Sequence, residues 1–207
     1  MDTVKVWDPF VRLFHWGLAL AVLASFLTGD EDALVPVHVR IGLGVLALVV
    51  MRLAWGLLGP APARFATFVK GPRAVLAYAR AMAGGRPPLH RSHNPLGGAM
   101  VVALLAVLLG LAATGAVAYG GPEFRGPLTG LLSLRTAKAV KEAHEALGGA
   151  LLALIGVHVA GVLVSSLLER QNLVLGMITG RKRAPDGAGA APPAPGRLAA
   201  ALRLAGA

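Results

Sequence analysis

Four long runs of apolar residues, separated by shorter polar stretches, dominate the pattern of this chain. The runs extend over about Leu13–Thr28, Val37–Leu58, Leu96–Ala118 and Ala143–Leu168. A helix needs roughly 20 mainly apolar residues to cross a bilayer, and each run approaches or exceeds that length. The pattern therefore predicts an all-α integral membrane protein built as a bundle of four transmembrane helices.

The polar stretch between the second and third runs contains one further helical pattern. From Pro72 to Met82 one face is apolar and the other carries Arg73 and Arg80, and two glycines follow. We expect a short interfacial helix on the membrane surface here, in preference to a fifth span.

Composition divides the chain into one domain and a tail. The protein has 207 residues, of which 56% are hydrophobic, and its mean hydropathy is +0.67. From residue 184 onward the sequence is rich in alanine, proline and glycine without a core-forming pattern. We expect a transmembrane domain over residues 1–183 and a disordered tail over residues 184–207.

The charge of the chain indicates topology and not a nucleic-acid partner. Its net charge is +10, but the basic residues cluster beside the apolar runs instead of forming a basic domain. The first loop, from Gly29 to Pro36, has no lysine or arginine, whereas the second loop and the segment after the fourth run have many. By the positive-inside rule, both termini should be cytoplasmic.

Two histidines lie fourteen residues apart on the fourth run, and two others lie near the starts of the first two runs. Fourteen residues return a helix to nearly the same face, about 21 Å further along its axis, so His144 and His158 should face the same neighbours at different depths. His15 falls at the depth of His158, and His38 falls at the depth of His144. An ionisable side chain within the membrane is a candidate functional residue because burying it without a partner is costly.

The histidines therefore form two cross-helix pairs, each able to ligate one b-type haem. The inner pair is His15 with His158 and the outer pair is His38 with His144. A single membrane histidine can instead bond a neighbouring helix, and that interpretation weakens when four of them pair by depth and face. The chain has no cysteine, which excludes iron–sulfur clusters, thiolate metal sites and covalent c-type haem.

Cations near the ends of the spans are candidates for binding the haem propionates. A simple topological or snorkelling role is at least as good an explanation for each of them. The candidates are Arg12 and Arg52 for the inner haem, and Arg40, Lys138 and Lys141 for the outer haem.

Several motifs resemble those of the prokaryotic cytochrome b561 family, which includes the cytochrome b subunits of nickel-iron hydrogenases. They are VWDPFVRLFHW (residues 6–16), HVRIGLGVLALVVMRLAWGLLG (38–59), SHNPLGGAM (92–100), EAHEALGG and IGVHVAGV in the fourth run, and NLVLGMITGRKR (172–183). The resemblance covers nearly the whole chain before the tail. It implies that four transmembrane helices hold two b haems through His15, His38, His144 and His158.

The resemblance also implies a function in a bacterial plasma membrane. The protein would relay electrons between a quinone pool and a redox partner in a respiratory chain, the partner being a hydrogenase or a c-type or multihaem cytochrome. One alternative is a stand-alone enzyme that oxidises quinol or superoxide. Another is a non-redox structural or metal-binding protein, although zinc sites usually draw on carboxylates or thiolates that are missing at membrane depth.

Two further histidines follow the second run. His93 matches the SHNPLGG motif, where it would contact a quinone or a propionate, but a loop histidine that caps the third span together with Asn94 is the favoured interpretation. His90 is expected to be solvated.

Overall fold

The computed structural model describes residues 3–85, 87–90, 92–119 and 133–183 of the chain. These residues form seven α-helices, two short 3-10 helices (Asp32–Leu34 and Ala61–Ala63) and one small antiparallel sheet. In chain order the elements are β1 (Thr3–Lys5), α1 (Pro9–Thr28), α2 (Val35–Leu58), α3 (Phe65–Phe68), α4 (Pro72–Ala83), α5 (Pro95–Tyr119), α6 (Leu134–Leu168), α7 (Leu173–Thr179) and β2 (Arg181–Arg183). The predicted tail, residues 184–207, lies outside the described residues.

Four helices of the described part are long and apolar enough to cross a membrane, which confirms the four predicted spans. They are α1, α2 with the turn before it (Asp32–Leu58), α5 and α6, with mean hydropathies between 1.7 and 2.5. Large apolar side chains such as Leu20 and Leu167 are 67% and 77% exposed. Such exposure suits a surface that contacts lipid.

Two of these helices begin earlier than the apolar pattern predicted. Helix α1 begins at Pro9 because Asp8 caps it, the Asp8 carboxylate accepting from the Val11 N–H at 3.1 Å. Helix α6 begins at Leu134 instead of about Ala143. The stretch before Ala143 is half polar, but alanine, lysine and glutamate are good helix formers, so the helix continues beyond its apolar part.

The predicted helix after the second span is present as α4. Tyr78 on one face is buried, whereas Leu76 on the opposite face is 52% exposed. Gly85 follows with a φ of 73°, a conformation that favours glycine and stops the helix. The helical part of the prediction is confirmed, and the position of α4 on the membrane surface stays a prediction.

The pairing of the two strands was not predicted. Thr3 pairs with Arg183 and Lys5 with Arg181. Gly180, which ends α7 with a φ of 80°, accepts hydrogen bonds from the N–H groups of Val6 and Trp7 through its carbonyl. A Cβ at Gly180 would lie 2.7 Å from the Trp7 carbonyl oxygen, so only glycine fits there.

The chain divides into two compact units, and each long helix contributes residues to both. The Arg52 unit comprises the described residues within Met1–Phe14, Met51–Val102 and Val157–Ala207. Its core includes Val6, Trp7, Val11 and Ala63. The His38 unit comprises the described residues within His15–Val50 and Ala103–Gly156. Its buried residues are aliphatic: Val22, Val45, Val49, Leu105, Leu108 and Leu151.

Candidate functional site

The His38 unit brings together the two histidines predicted as the outer pair. His38 is in the first turn of α2 and His144 is in α6, and both side chains are half-buried. Their ring centroids are 6.1 Å apart and the ring planes are inclined at 81°. Two helices distant in sequence therefore present imidazoles to each other.

The δ nitrogens of both rings are hydrogen-bonded to the protein. His38 Nδ1 lies 3.0 Å from the Ser25 carbonyl oxygen, and His144 Nδ1 lies 3.1 Å from Thr114 Oγ1. A carbonyl oxygen only accepts, so a neutral His38 carries its proton on Nδ1 and keeps a lone pair on Nε2. Histidines that bind metals through one nitrogen commonly donate the other N–H in this way.

The separation of the rings suits a bis-imidazole iron site. A metal–imidazole bond is about 2 Å long and the ring centre lies about 1 Å behind the nitrogen, so rings on opposite sides of one iron have centres about 6 Å apart. The observed 6.1 Å agrees with that value. Gly42 and Gly148 follow the two histidines by one turn each, and a Cβ at either position would meet no atom within 4 Å. The residues of this site fit a b haem.

The two histidines predicted as the inner pair belong to different units. His15 lies in the His38 unit, half-buried, with its ring edge-on to Trp16 at a centroid distance of 5.0 Å. His158 lies in the Arg52 unit and is also half-buried. Their pairing stays a prediction.

Arg52 is the most deeply buried cation among the described residues, at 3% exposure. Its Nη2 donates to the Ala63 carbonyl at 3.1 Å, and its guanidinium lies 4.9 Å from the centre of the Phe65 ring. Its Nη1 and the Nε of Arg12 are buried without a hydrogen-bond partner in the described part of the chain. A buried donor without an acceptor is costly, so these two atoms fit a site that binds an anion such as a propionate.

The cations predicted beside the outer haem are exposed. Arg40, Lys138 and Lys141 all have exposed side chains. Lys141 Nζ is 3.7 Å from Glu145 Oε1, an exposed pair one turn apart on α6. Exposed pairs of this kind contribute little stability. The role of the three cations toward a haem stays a prediction.

His93 has an aromatic environment that the sequence did not indicate. Its ring centroid lies 4.6 Å from that of Trp7 and 4.4 Å from that of Phe68. Asn94 caps α5 through its side-chain oxygen, which accepts from the Gly97 N–H at 2.7 Å. The capping function thus belongs to Asn94, and the histidine packs against aromatic rings.

A buried polar network in the Arg52 unit was also missed by sequence reasoning. Tyr78 donates to Glu169 at 3.4 Å, and Lys182 Nζ donates to the carbonyls of His90 and Ser92 at 3.3 and 3.4 Å. Burial, followed by the charge of Glu169, raises the pKa of Tyr78 to about 12. Burial lowers the pKa of Lys182, against the opposing effect of Glu169. The only sequence feature that indicated this network was Glu169, an isolated carboxylate directly after the fourth span.

Within the described residues, no three side chains of histidine, cysteine, aspartate or glutamate form a group that could hold a metal ion. A haem iron needs only two protein ligands, because the porphyrin supplies the other four. The pair His38 and His144 supplies those two ligands.

One model of a protein family matches most of the chain. Residues 6–180 match the family model described as prokaryotic cytochrome b561, whose short name abbreviates a nickel-hydrogenase cytochrome b. No curated protein and no solved structure matches the chain. The match covers all four predicted haem ligands and all four long helices. The chain therefore belongs to the prokaryotic cytochrome b561 family of membrane cytochromes, which hold b-type haem and transfer electrons.

Proposed function

We propose that this protein relays electrons across a bacterial plasma membrane through two b haems. His38 and His144 bind the outer haem, and His15 and His158 bind the inner haem. Both termini face the cytoplasm, and the electrons pass between a quinone pool and a redox partner in a respiratory chain. The family name supports a hydrogenase-type partner, and the same chemistry serves a c-type or multihaem cytochrome.

The observation that carries this proposal is the geometry of His38 and His144. Two imidazoles with centroids 6.1 Å apart, each with its Nδ1 occupied, leave their ε nitrogens to bind iron. A haem held by these two histidines would supply electron transfer in preference to oxygen activation.

The roles of the other residues follow from their burial and charge. A bound b haem supplies one-electron redox chemistry. Arg52 and Arg12 hold the propionates of the inner haem with the donors Nη1 and Nε. Apolar side chains along the four spans exclude water, so charges in the interior interact more strongly than they would in solution.

The topology is supported by the distribution of basic residues. The loop from Gly29 to Pro36 carries none, whereas Lys5 precedes α1 and several basic residues follow α6. Lys5, Arg170 and Arg181 are exposed, as expected for side chains that interact with the cytoplasmic lipid surface.

The haem count and a transfer assay test the proposal. Purified protein should show a b-type reduced-minus-oxidised spectrum and two haems per chain in a pyridine haemochrome assay. In vesicles, quinol outside should reduce a membrane-impermeant acceptor enclosed inside. His158→Ala should retain one haem and lose this transfer, whereas His90→Ala should retain both haems and the transfer. Protein without b haem, or transfer that persists in His158→Ala, contradicts the proposal.

A further inference from the structure

Helix α5 is the one long helix of the described chain without a histidine, yet two of its adjacent residues contact the His144 ring. Thr114 Oγ1 lies 3.1 Å from His144 Nδ1. A Cβ added at Gly115 would lie 3.0 Å from His144 Cε1 and 3.3 Å from Nδ1. The His144 ring thus packs against α5, where the Thr114 hydroxyl bonds its Nδ1 and the absence of a side chain at Gly115 leaves room for it.

The hydrogen bonds of Thr114 determine which atom donates to which. Its hydroxyl lies 2.7 Å from the Gly110 carbonyl oxygen and 3.2 Å from that of Leu111, and both of these atoms only accept. A hydroxyl has a single proton, which is committed to the closer carbonyl, Gly110. Toward His144 the hydroxyl can then only accept, so the proton between them belongs to Nδ1. The Nε2 of His144 keeps the lone pair that a metal needs.

His38 reaches the same tautomer by a different route. Its Nδ1 donates to the main-chain carbonyl of Ser25 at 3.0 Å. Side-chain substitutions do not remove a backbone acceptor. His144 differs in having a side-chain acceptor, the Thr114 hydroxyl at 3.1 Å from its Nδ1, beside an interaction with the backbone carbonyl of Leu111.

We propose that Thr114 is a positioning residue for His144: with Gly115 it fixes the orientation and the Nδ1–H tautomer of this ligand and thereby lowers the midpoint potential of the outer haem. The inference rests on the proposed function. A hydrogen bond donated by Nδ1–H makes the imidazole a stronger electron donor, and a stronger donor stabilises the oxidised iron. Removal of the acceptor should reverse that effect.

The test compares three threonine variants of the full-length protein by potentiometric titration and electron paramagnetic resonance. Thr114→Val keeps the shape and removes the hydroxyl, whereas Thr114→Ser keeps the hydroxyl. Thr179→Val is the matched control, because Thr179 donates to the carbonyl four residues earlier at 2.9 Å and lies in the Arg52 unit. We expect Thr114→Val to raise the midpoint potential of one haem and to alter its low-spin signal. The serine variant and the control should match the wild type.

The outcomes separate this inference from the proposed function. Loss of one haem from Thr114→Val, with retention in Thr114→Ser, also supports it. Unchanged potentials in a two-haem Thr114→Val protein overturn this inference alone, as does a Thr114→Ser shift as large as that of the valine variant. Wild-type protein without b haem overturns the inference and the proposed function together.

A glycine variant supplies a second measurement. Gly115→Ala places a methyl group against the His144 ring and should lower the occupancy of the same haem that responds to Thr114→Val. Gly149→Ala on α6 is its control, because a Cβ there meets no atom within 4 Å. If Gly115→Ala keeps full haem occupancy and an unchanged potential, the His144 ring does not pack against α5 as proposed.

Discussion

The two compact units bury different kinds of side chain. The Arg52 unit buries three charged residues, Arg52, Glu169 and Lys182, together with the aromatic Trp7 and Phe68. No charged side chain of the described His38 unit is buried, and its core consists of valine and leucine. A hydrogen bond made by a side chain is therefore a sign of function in the His38 unit, whereas in the Arg52 unit it can be purely structural.

In the His38 unit a polar contact is itself informative. Helices satisfy their own backbone groups, so an apolar unit needs no polar contacts between helices to be stable. The described unit nevertheless contains the contacts from His38 to Ser25 and from His144 to Thr114. Both of them orient a candidate ligand. In the Arg52 unit, where polar groups also stabilise loops and strands, function is better indicated by donors that lack an acceptor.

The largest expected effect is the loss of one haem from the His38 unit. Because the centroids of the two rings are 6.1 Å apart, His38→Ala and His144→Ala should remove the same haem, and the double variant should remove no more than either single one. His158→Ala should remove the other haem. Haem content and the reduced-minus-oxidised spectrum measure these losses.

The control for the histidine variants is His90→Ala. This histidine was expected to be solvated, but it is half-buried and its ring lies edge-on to Tyr78 at a centroid distance of 5.3 Å, with Nδ1 2.8 Å from the Pro88 carbonyl. The variant should keep both haems. If His38→Ala and His144→Ala remove different haems, or if neither removes one, the outer pair is wrong and the contrast between the units loses its functional meaning.

The four spans could be predicted because run length and hydropathy alone define a membrane helix. The helical pattern of α4 was predictable from its amphipathic spacing. The strand pairing of Thr3 with Arg183 was not, because three-residue strands show no usable alternation and the partners are far apart in sequence. The burial of Lys182 depends on that pairing and on the loop it contacts.

Candidate ligands were visible in the sequence, but the residues that orient them were not. A membrane histidine is rare enough to attract attention by itself. Thr114 lies in a helix that is apolar on all sides, where a threonine commonly bonds its own backbone and where no polar face points to a partner. Only the packing of α5 against His144 distinguishes it.

The next largest effect concerns the buried guanidinium of the Arg52 unit. Arg52→Met removes the Nη2 donor of the Ala63 carbonyl and the charge opposite Asp8, so a loss of stability of about 3 kcal/mol is expected with or without a haem. If a propionate also accepts from Nη1, the variant should in addition lower the potential of one haem. Thermal loss of the haem absorbance and a redox titration measure both quantities.

The matched control for this variant is Arg73→Met, which removes an exposed arginine of α4 in the same unit. It should change neither quantity by a measurable amount. An Arg52→Met protein with both haem potentials unchanged would show that Arg52 binds no propionate.

The smallest expected effect is the titration of Tyr78. Its pKa is raised from 10.0 to about 12, first by burial and then by the Glu169 carboxylate, whose Oε1 accepts from the phenol. The folded protein therefore retains the Tyr78 proton at a pH where the unfolded chain has lost it. The stability from this shift is fully present below pH 10.0 and is lost as the pH rises through about 12.

Tyrosinate absorbance measures this titration directly once Tyr119→Phe leaves Tyr78 as the sole tyrosine, since the chain has only two. Glu169→Gln in that background should lower the pKa of Tyr78, which should still stay above its ordinary value because burial is the larger cause. A Tyr78 that ionises at its ordinary pH in the folded protein would show that this network is open to water. The polar groups around Tyr78 would then be solvated, and Arg52 alone would distinguish the buried side chains of this unit from the apolar core of the His38 unit.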